Sequence, residues 1–314
     1  MSHIIVVGSL NIDLVVRTPR FPQPGETIAG EDLAVVPGGK GANQAVAAAR
    51  LGGRVAMVGR VGADAFGPRS LGGLEQQGVD TCHVGRDERS ATGTAVILID
   101  AQGQNSIILS PGANQRVEPA DVEAAQHLFK GSEMLVLQLE IPLETVEFAA
   151  GLAREHGLSV ILNPAPGQTL PGCLLESVDV LVPNETELQL IAGRETDGTE
   201  ARVAAARELL RRGVAAVVVT LGADGALVVT HDETQLVAGR QADVVDTTAA
   251  GDAFVGALAV ALTAGRALCE AVEYANCAGA LAVTRFGAQP SLPTAAEVDA
   301  LFRQPGRREG SRYL

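Results

Sequence analysis

Short apolar runs alternate with longer stretches of mixed character along most of this chain. Residues 4–7 are a continuous β-branched run that ends at Gly8, a pattern typical of a strand buried on both faces of a parallel sheet. From residue 55 onward, apolar runs of strand length alternate with stretches of helix length, about 10–15 residues each. The predicted strands are 55–58, 134–139, 159–162, 178–182, 214–220 and 226–230, and the predicted helices are 65–77, 142–156, 185–191, 200–212 and 268–284. This alternation predicts a mostly parallel sheet flanked by helices.

Two segments interrupt the alternation. Prolines and a glycine exclude a helix between 17 and 32, and the runs on either side are short and extended. A second extended pair, 94–98 and 106–109, flanks a turn-rich stretch, which is typical of a β-hairpin. We predict that these pieces form a small sheet, inserted twice into the main fold as a lid; two surface excursions without function are the alternative. The predicted domains are a core of 1–13, 39–91 and 112–314, ending in a polar tail at 303–314, and a lid of 14–38 and 92–111.

The stretch from 246 to 254 carries the clearest chemical pattern. It follows the apolar pair Val244-Val245 and leads into an alanine- and leucine-rich run at 253–264, so it predicts a strand, a turn of small residues and a buried helix. Backbone N–H groups at a helix N-terminus attract an anion. Asp252 is open to two interpretations: an acid that caps or begins the helix, or a general base beside a transferred phosphoryl group.

Other polar residues follow predicted strands. In open α/β sheets, ligands bind beyond the carboxyl ends of the strands, so we expect these residues to share one edge. The residues are Asn11 and Asp13, then Glu140, then the stretch 184–187, with 220–225 as a further loop. Asn11 and Asp13 could instead form a turn, Glu140 could be an acid at a helix start, and 184–187 could be a capping box.

The glycine-rich stretch 37–45 opens a predicted alanine-rich helix. It does not match a P-loop, because the spacing differs and no Ser or Thr follows Lys40. Its glycines permit close approach of the backbone to a ligand, while Lys40 and Asn43 supply a cation and an amide. This set suits a polar small molecule such as a sugar better than a nucleoside triphosphate.

Composition narrows the possible partners. The 314 residues carry a net charge of -13, which disfavours general binding of nucleic acid or of an anionic membrane. The four cysteines are widely spaced without a C-x-x-C pattern, which argues against a zinc or redox site and for free thiols in a reducing compartment. No signal-peptide pattern follows Met1, and no apolar run reaches the ~18 residues that span a membrane. We therefore expect a cytoplasmic protein.

Three motifs together resemble those of the ribokinase (PfkB) family of carbohydrate kinases. Residues 38–45 are similar to its N-terminal signature, 246–254 to its C-terminal signature, and 184–187 to its N-x-x-E motif. The resemblance extends over nearly the whole chain. It implies a three-layer α/β/α sandwich with a mostly parallel central sheet and a small β-sheet lid. It also implies transfer of a phosphoryl group from ATP to O5 of D-ribose.

The resemblance implies a role for particular residues. Asp252 would be the general base, and the backbone N–H groups of Ala249, Ala250, Gly251 and Asp252 would form an anion hole for the phosphoryl group. The sugar would bind to Asn11, Asp13, Gly39, Lys40, Asn43, Glu140 and Asp252. ATP would bind to Asn184, Thr220, Gly222, Ala223, Gly225, Gly251 and Asn276. Asn276 departs from the family pattern, in which His is common at this place.

Two ions and a second subunit are implied in the same way. Glu187 would hold Mg²⁺ through water. K⁺ would bind to oxygen atoms of Asp246, Thr248, Ala282, Arg285, Gly287 and Ser291, because oxygen ligands suit a hard cation. The alternative for 285–291 is an ordinary loop after a helix. The lid would pair with a second copy of the chain to form a homodimer.

Functions of other kinds stay open. The same chemistry could act on deoxyribose, fructose, a nucleoside or a sugar acid. A non-catalytic sugar- or nucleotide-binding regulator on this fold would be favoured by a broken Gly-Asp pair, but Gly251 and Asp252 are both present. An oxidoreductase is disfavoured because no G-x-G-x-x-G follows the first strand.

Overall fold

The structure is a computed structural model, which describes residues 3–304. Met1, Ser2 and most of the predicted polar tail lie outside the described residues. The strands are β1 (His3–Val7), β2 (Asn11–Arg17), β3 (Ala34–Gly38), β4 (Arg54–Gly62), β5 (Asp80–Asp87), β6 (Gly93–Ile99), β7 (Asn105–Ser110), β8 (Met134–Leu137), β9 (Ser159–Leu162), β10 (Val180–Leu181), β11 (Ala216–Thr220), β12 (Gly225–Thr230) and β13 (Thr234–Ala238). The helices are α1 (Lys40–Arg50), α2 (Phe66–Gln76), α3 (Pro119–Ala124), α4 (Gln126–Phe129), α5 (Leu143–His156), α6 (Gly172–Leu175), α7 (Glu185–Ala192), α8 (Thr199–Arg211), α9 (Ala250–Thr263), α10 (Leu268–Ala282), α11 (Ala288–Ser291) and α12 (Ala295–Phe302).

The main sheet places the ends of many strands along one edge. Within residues 3–304 it has nine strands in the order β13-β12-β11-β10-β9-β8-β1-β4-β5. The strands from β11 to β5 in this order are parallel, while β12 and β13 continue the sheet in antiparallel fashion. The mostly parallel sheet predicted from the sequence is therefore confirmed.

Helices cover both faces of this sheet. Because side chains alternate between the faces of a strand, Val6 and Val136 pack on one face against α1, α9 and α10. Val7 and Leu137 pack on the other face against α5 and α8. The result is the predicted three-layer α/β/α arrangement, with an aliphatic core on each side of the sheet.

A second sheet has the order β3-β2-β6-β7; we call it the small sheet. The strands β6 and β7 form the predicted antiparallel hairpin. The strand β2 pairs with β6 along its whole length, from Asn11 opposite Gly93 to Arg17 opposite Ile99. Asn11 and Asp13 are therefore strand residues of the small sheet, whereas the predicted boundary placed them in the core. The predicted boundary was misplaced because β2 pairs continuously with β6, which lies more than 80 residues further along the chain.

Other details of the prediction were wrong. Val244 and Val245 form no strand; they are 66% and 62% exposed. The N–H groups of Val245 and Asp246 both donate to the carbonyl of Val283, so this segment is attached to the end of α10 rather than to a sheet. The edge strands β5 and β13 were missed because their polar residues hide the apolar pattern.

None of the helices described between residues 3 and 304 combines the length and apolar character needed to cross a bilayer.

Candidate active site

The N-terminus of α9 has an unusual backbone. Ala249, which precedes the helix, has a φ of 59°, in the left-handed region that non-glycine residues rarely adopt. The first helical hydrogen bond runs from the N–H of Ala253 to the carbonyl of Ala249 at 2.8 Å. The N–H groups of 250–252 therefore have no helical acceptor, although that of Ala250 turns back to Thr247 at 3.3 Å. Such N–H groups carry partial positive charge and suit an anion.

The Asp252 carboxylate lies in this first turn and is only 6% exposed. Its Oδ2 accepts a hydrogen bond from Asn43 Nδ2 at 2.9 Å, and its Oδ1 accepts one from Gln44 Nε2 at 3.0 Å. Ala249, not Asp252, is the N-cap residue. The N-cap interpretation of Asp252 is therefore wrong, whereas the interpretation as an acid in the first helical turn is confirmed, and its side chain is held by α1.

Two further carboxylates and a lysine surround Asp252. Burial, and then the negative charges of Glu140 and Asp252, raise the pKa of Asp13 to about 7. Burial by itself lowers the pKa of Lys40, but the neighbouring carboxylates, of which Asp252 contributes most, outweigh it and raise that pKa. Lys40 is therefore a cation within a group of acids. Perturbed pKa values of this kind are concentrated at functional sites.

Glu140 is bound to α1 rather than to the helix that follows it. Its Oε2 accepts hydrogen bonds from the Ser9 hydroxyl and from the N–H of Lys40, the latter at 3.1 Å. Helix α5 begins three residues later, at Leu143, without a side-chain cap. The helix-start interpretation of Glu140 is therefore wrong.

Close packing between β2 and the start of α1 requires glycine. A Cβ atom at Gly38 would lie 2.3 Å from the Asp13 carboxylate. Gly39 has a φ of 90°, and a Cβ atom there would lie 2.7 Å from the backbone nitrogen of Asn11. Asn11 itself is held by Asn114, whose Nδ2 donates to the Asn11 Oδ1 at 2.7 Å. Asn114 was missed from the sequence, because nothing near it in the chain marks a contact with β2.

A small cavity of about 230 Å³ opens in front of Asp252. Of the residues predicted to bind sugar, Lys40 and Asp252 line it directly. Asn43 and Glu140 lie one contact behind the lining: Asn43 is hydrogen-bonded to the side chain of Asp252, and Glu140 accepts from the backbone N–H of Lys40. Asn11 and Gly39 contact each other beside this group. The remaining lining residues are Asn163, Ala165, Val182, Asn184, Glu187, Thr220, Thr247, Ala249, Gly251 and Val255.

A larger cavity of about 890 Å³ lies on the other side of the α9 N-terminus. The two cavities share Thr220, Thr247 and Gly251, so they meet at the first turn of this helix. Six of the seven residues predicted to bind ATP line the larger cavity: Thr220, Gly222, Ala223, Gly225, Gly251 and Asn276. Asn184, the seventh, lines the smaller one.

The wall of the larger cavity is mostly apolar and was not predicted. Val244, Phe254 and Val283 belong to it. Asn276 Nδ2 donates to the carbonyls of Val237 and Ala238, each at 3.2 Å. The amide of Asn276 therefore holds β13 against α10, and only its remaining oxygen is available to a ligand.

Asn184 and Glu187 form the capping box that was the alternative to a ligand role. The Asn184 side chain accepts from the N–H of Glu187 at 2.8 Å, and the Glu187 side chain accepts from the N–H of Asn184 at 2.9 Å. Glu187 also faces the smaller cavity, and burial raises its pKa although the N–H of Asn184 and the charge of Lys40 oppose this. A cap and a cavity-facing carboxylate are compatible, because one oxygen makes the cap. Across residues 3–304, no cluster of three or more His, Cys, Asp or Glu residues is arranged to hold a metal ion.

The residues predicted to bind a monovalent cation come from the segment before α9 and from the stretch between the end of α10 and the end of α11, and the Asp246 side chain links the two. Its Oδ1 accepts from the N–H of Thr248 and its Oδ2 from the N–H of Gly287, each at 2.9 Å. Ser291 is fully buried and donates to the carbonyl of Ala288 at 2.8 Å, so its oxygen retains lone pairs. Arg285 extends its side chain to Glu297, which leaves only its carbonyl for a cation. The donor set consists of oxygen atoms and fits a hard monovalent ion.

Comparison with known proteins identifies the family. Residues 1–295 match the description "pfkB family carbohydrate kinase". A ribokinase of Haemophilus influenzae is 40% identical over 93% of this chain and 95% of its own length, and a deoxyribokinase of Salmonella typhi is 38% identical over the same shares. The solved structure of Arabidopsis thaliana ribokinase complexed with ribose and ATP is similar with a TM-score of 0.90, at 34% identity over 97% of this chain and all of that one. This chain therefore belongs to the pfkB family of carbohydrate kinases.

Proposed function

We propose that this enzyme transfers the γ-phosphoryl group of ATP to O5 of D-ribose. The observation that carries the proposal is the position of Asp252, whose buried carboxylate is held by two amides at the helix N-terminus where the two cavities meet. A carboxylate that must accept a proton and N–H groups that suit a phosphoryl group thus occupy the same turn. The similarity to ribokinases over almost the full chain supports ribose as the acceptor.

In the proposed reaction, Asp252 takes the proton of the sugar hydroxyl while that oxygen attacks the γ-phosphorus. A new O–P bond forms, and the bond from phosphorus to the departing ADP oxygen breaks. The charge on the transferred group is stabilised by the N–H groups of 249–252, chiefly those of Gly251 and Asp252, because Ala250 also donates to Thr247. Lys40 adds positive charge on the same side.

The sugar is proposed to bind among the acids around Lys40. Ribose hydroxyls both donate and accept hydrogen bonds. Carboxylates of Asp13 and Glu140 accept, while Lys40 and the amides of Asn11 and Asn43 donate. A sugar that already carries a phosphate away from O5 fits poorly, because that negative charge would face Asp13 and Glu140 rather than the N–H groups at the start of α9. We further propose that the small sheet, with its segments 14–38 and 92–111, serves as the lid of this site.

The nucleotide is proposed to occupy the larger cavity, with its phosphates directed at Gly251. The apolar wall formed by Val244, Phe254 and Val283 suits a flat base. Glu187 is proposed to hold Mg²⁺ through water, since its cavity-facing oxygen and the phosphates supply the oxygen ligands that this ion prefers. Mg²⁺ would neutralise phosphate charge. K⁺ is proposed to bind beside Asp246, where its charge would favour the α9 N-terminus as an anion site.

A homodimer through the small sheet is also proposed. Every residue of β7 is exposed, including Ile107 at 55% and Ile108 at 67%, and an apolar edge strand of this kind is usually covered. We expect Ile108→Lys to convert a dimer into a monomer in size-exclusion chromatography, while Gln102→Lys, in the turn of the same hairpin, leaves the dimer intact. An unchanged elution volume for Ile108→Lys would contradict this interface. A cytoplasmic location is proposed from the exposed free thiols of Cys82 and Cys173.

The competing acceptor is 2-deoxyribose, because the deoxyribokinase relative is almost as similar as the ribokinase. A coupled assay of ADP release, with Mg²⁺ and K⁺ present, separates the candidates. Ribose is expected to give the highest kcat/KM among ribose, 2-deoxyribose, fructose and nucleosides. A higher kcat/KM for 2-deoxyribose would replace ribose as the substrate, and no ADP release with any acceptor would favour a binding protein instead.

A further inference from the structure

Three side-chain amides form a chain behind the Asp252 carboxylate: Gln138 and Gln44, which are buried, and Asn163, which is half-buried and lines the smaller cavity. Gln138 Nε2 donates to Gln44 Oε1 at 2.6 Å. Gln44 Nε2 then donates to both Asp252 Oδ1 at 3.0 Å and Asn163 Oδ1 at 3.1 Å. Asn163 Nδ2 donates to the backbone carbonyl of Val182 at 3.0 Å. Gln44 is 1% exposed and does not belong to the lining of either cavity, so it contacts neither a ligand in them nor solvent.

The direction of this chain is set at the Val182 end. A backbone carbonyl can only accept, so Asn163 must turn its NH₂ group to Val182 and its oxygen to Gln44. Gln44 must then turn its NH₂ group to Asn163, and the same group faces Asp252. Its oxygen consequently faces Gln138, which must donate. The carbonyl just beyond β10 thereby ensures that a donor, not an oxygen, meets the Asp252 carboxylate.

The other end of the amide chain, at Gln138, has the same hydrogen-bond direction. Gln138 Oε1 is buried without a hydrogen-bond partner within the described residues. A Cβ atom at Gly8 would lie 1.9 Å from this oxygen, so only glycine leaves room for it. An unpartnered buried oxygen destabilises the folded protein. Gln138 nevertheless directs its NH₂ group to Gln44 and leaves its own oxygen without a partner within the described residues.

Resting on the proposed role of Asp252 as general base, we propose that Gln44 is the positioning residue for this base. Gln44 holds Oδ1 in place and supplies a hydrogen-bond donor to its ionised form, while Oδ2 remains with Asn43. The two neighbours on α1 thus differ in role. Asn43 belongs to the proposed sugar site and has a buried Oδ1 without a partner in the described part of the chain, whereas Gln44 acts through Asp252.

The test compares Gln44→Met with Gln138→Met. Both replace a buried amide by an apolar side chain of similar length, but only the first removes a donor from Asp252. For Gln44→Met we expect kcat to fall about tenfold to a hundredfold, the size of a lost hydrogen bond to a charged group. The acid limb of the pH profile of kcat/KM should move up by about one pH unit, because the ionised carboxylate has lost a donor. KM for ribose and ATP should change by less than about twofold. Gln138→Met should leave the limb in place.

Gln44→Glu serves as a second variant if Gln44→Met does not fold. It keeps an acceptor for Gln138 but puts a negative charge beside Asp252, so the acid limb should move further in the same direction. In an Asp252→Asn background, Gln44→Met should cause no additional loss of kcat, because it acts only through the carboxylate.

The outcomes separate this inference from the proposed function. A normal pH profile and normal kcat in Gln44→Met, with Asp252→Asn inactive, would overturn the positioning role alone. Equal losses in Gln44→Met and Gln138→Met with unmoved acid limbs would show that the amide chain only supports packing, which also overturns it. Full activity of Asp252→Asn would instead overturn the proposed general base.

Discussion

The two sides of the α9 N-terminus are built differently. On the side of the smaller cavity, the carboxylates of Asp252 and Glu140 are buried or half-buried and held by hydrogen bonds from α1. On the side of the larger cavity, the lining includes exposed apolar residues such as Val244. The difference agrees with the proposed roles, because proton transfer demands fixed polar atoms, while recognition of a flat base needs mainly shape and apolar surface.

The largest expected effect is on the polar side. Asp252→Asn keeps the size of the side chain but removes the proposed base, so we expect kcat to fall by about 10²–10⁴-fold. The measurement is steady-state ADP release with ribose and ATP. Asp243→Asn, an exposed residue of the larger cavity, is the control and should keep kcat. Comparable losses in both variants would remove the distinction between the two sides.

Gly251→Ala tests the junction of the cavities. A Cβ atom at Gly251 meets open space, so the fold should tolerate it, but the methyl group enters the place proposed for the phosphoryl group. We expect kcat to fall about tenfold to a hundredfold, in the range of a disturbed anion hole. Gly151→Ala, in the middle of α5 and also next to open space, should leave kcat unchanged and stabilise the protein by about 0.5–1 kcal/mol. Normal turnover in Gly251→Ala would place the phosphoryl group elsewhere.

The buried carboxyl of Asp13, on the polar side, should make the stability of the folded protein depend on pH. Its pKa is about 7 in the folded protein, from burial and the charges of Glu140 and Asp252, and 3.8 as the ordinary value. Between these values the folded state binds one more proton than the unfolded state, so stability falls as pH rises from about 4 to about 7 and then levels off. Asp13→Asn removes this loss. We expect its gain in the free energy of unfolding over wild type to be larger at pH 8 than at pH 4.5, by on the order of 2 kcal/mol.

Denaturant unfolding at the two pH values checks this expectation. Val245→Ala, which changes no titratable group, is the control and should show the same difference from wild type at both. A pH-independent effect of Asp13→Asn would mean that the carboxyl ionises normally in the folded protein.

The smallest effect is expected on the apolar side. Val244→Ala should raise KM for ATP about threefold to tenfold, the worth of one or two buried methyl groups, and leave KM for ribose unchanged. Val245→Ala is the matched control, since Val245 is equally exposed but does not line the cavity. If Val244→Ala raised KM for ribose instead, the assignment of the two cavities would be reversed.

Much of the molecule follows from local sequence. The β-branched runs, the hairpin of β6 and β7 and the capping box of Asn184 and Glu187 depend on residues close together in the chain, so periodicity and spacing predict them. The position of Asp252 at the start of a helix is local in the same sense. The strand predicted at 244–245 was wrong because two valines in a row do not reveal that the segment is exposed and that its backbone N–H groups bond to the carbonyl of Val283 rather than to a neighbouring strand.

The tertiary structure alone decided what surrounds Asp252. Gln44 lies 208 residues before it in the chain, and Asn114 lies 103 residues after Asn11. An amide looks the same in a sequence whether it faces solvent, a backbone carbonyl or a buried carboxylate. Its partner depends on how the helices pack on the sheet. The sequence by itself therefore determined which side chains are present for the proposed chemistry, and the packing of α1 against α9 decided which atoms hold Asp252 in place.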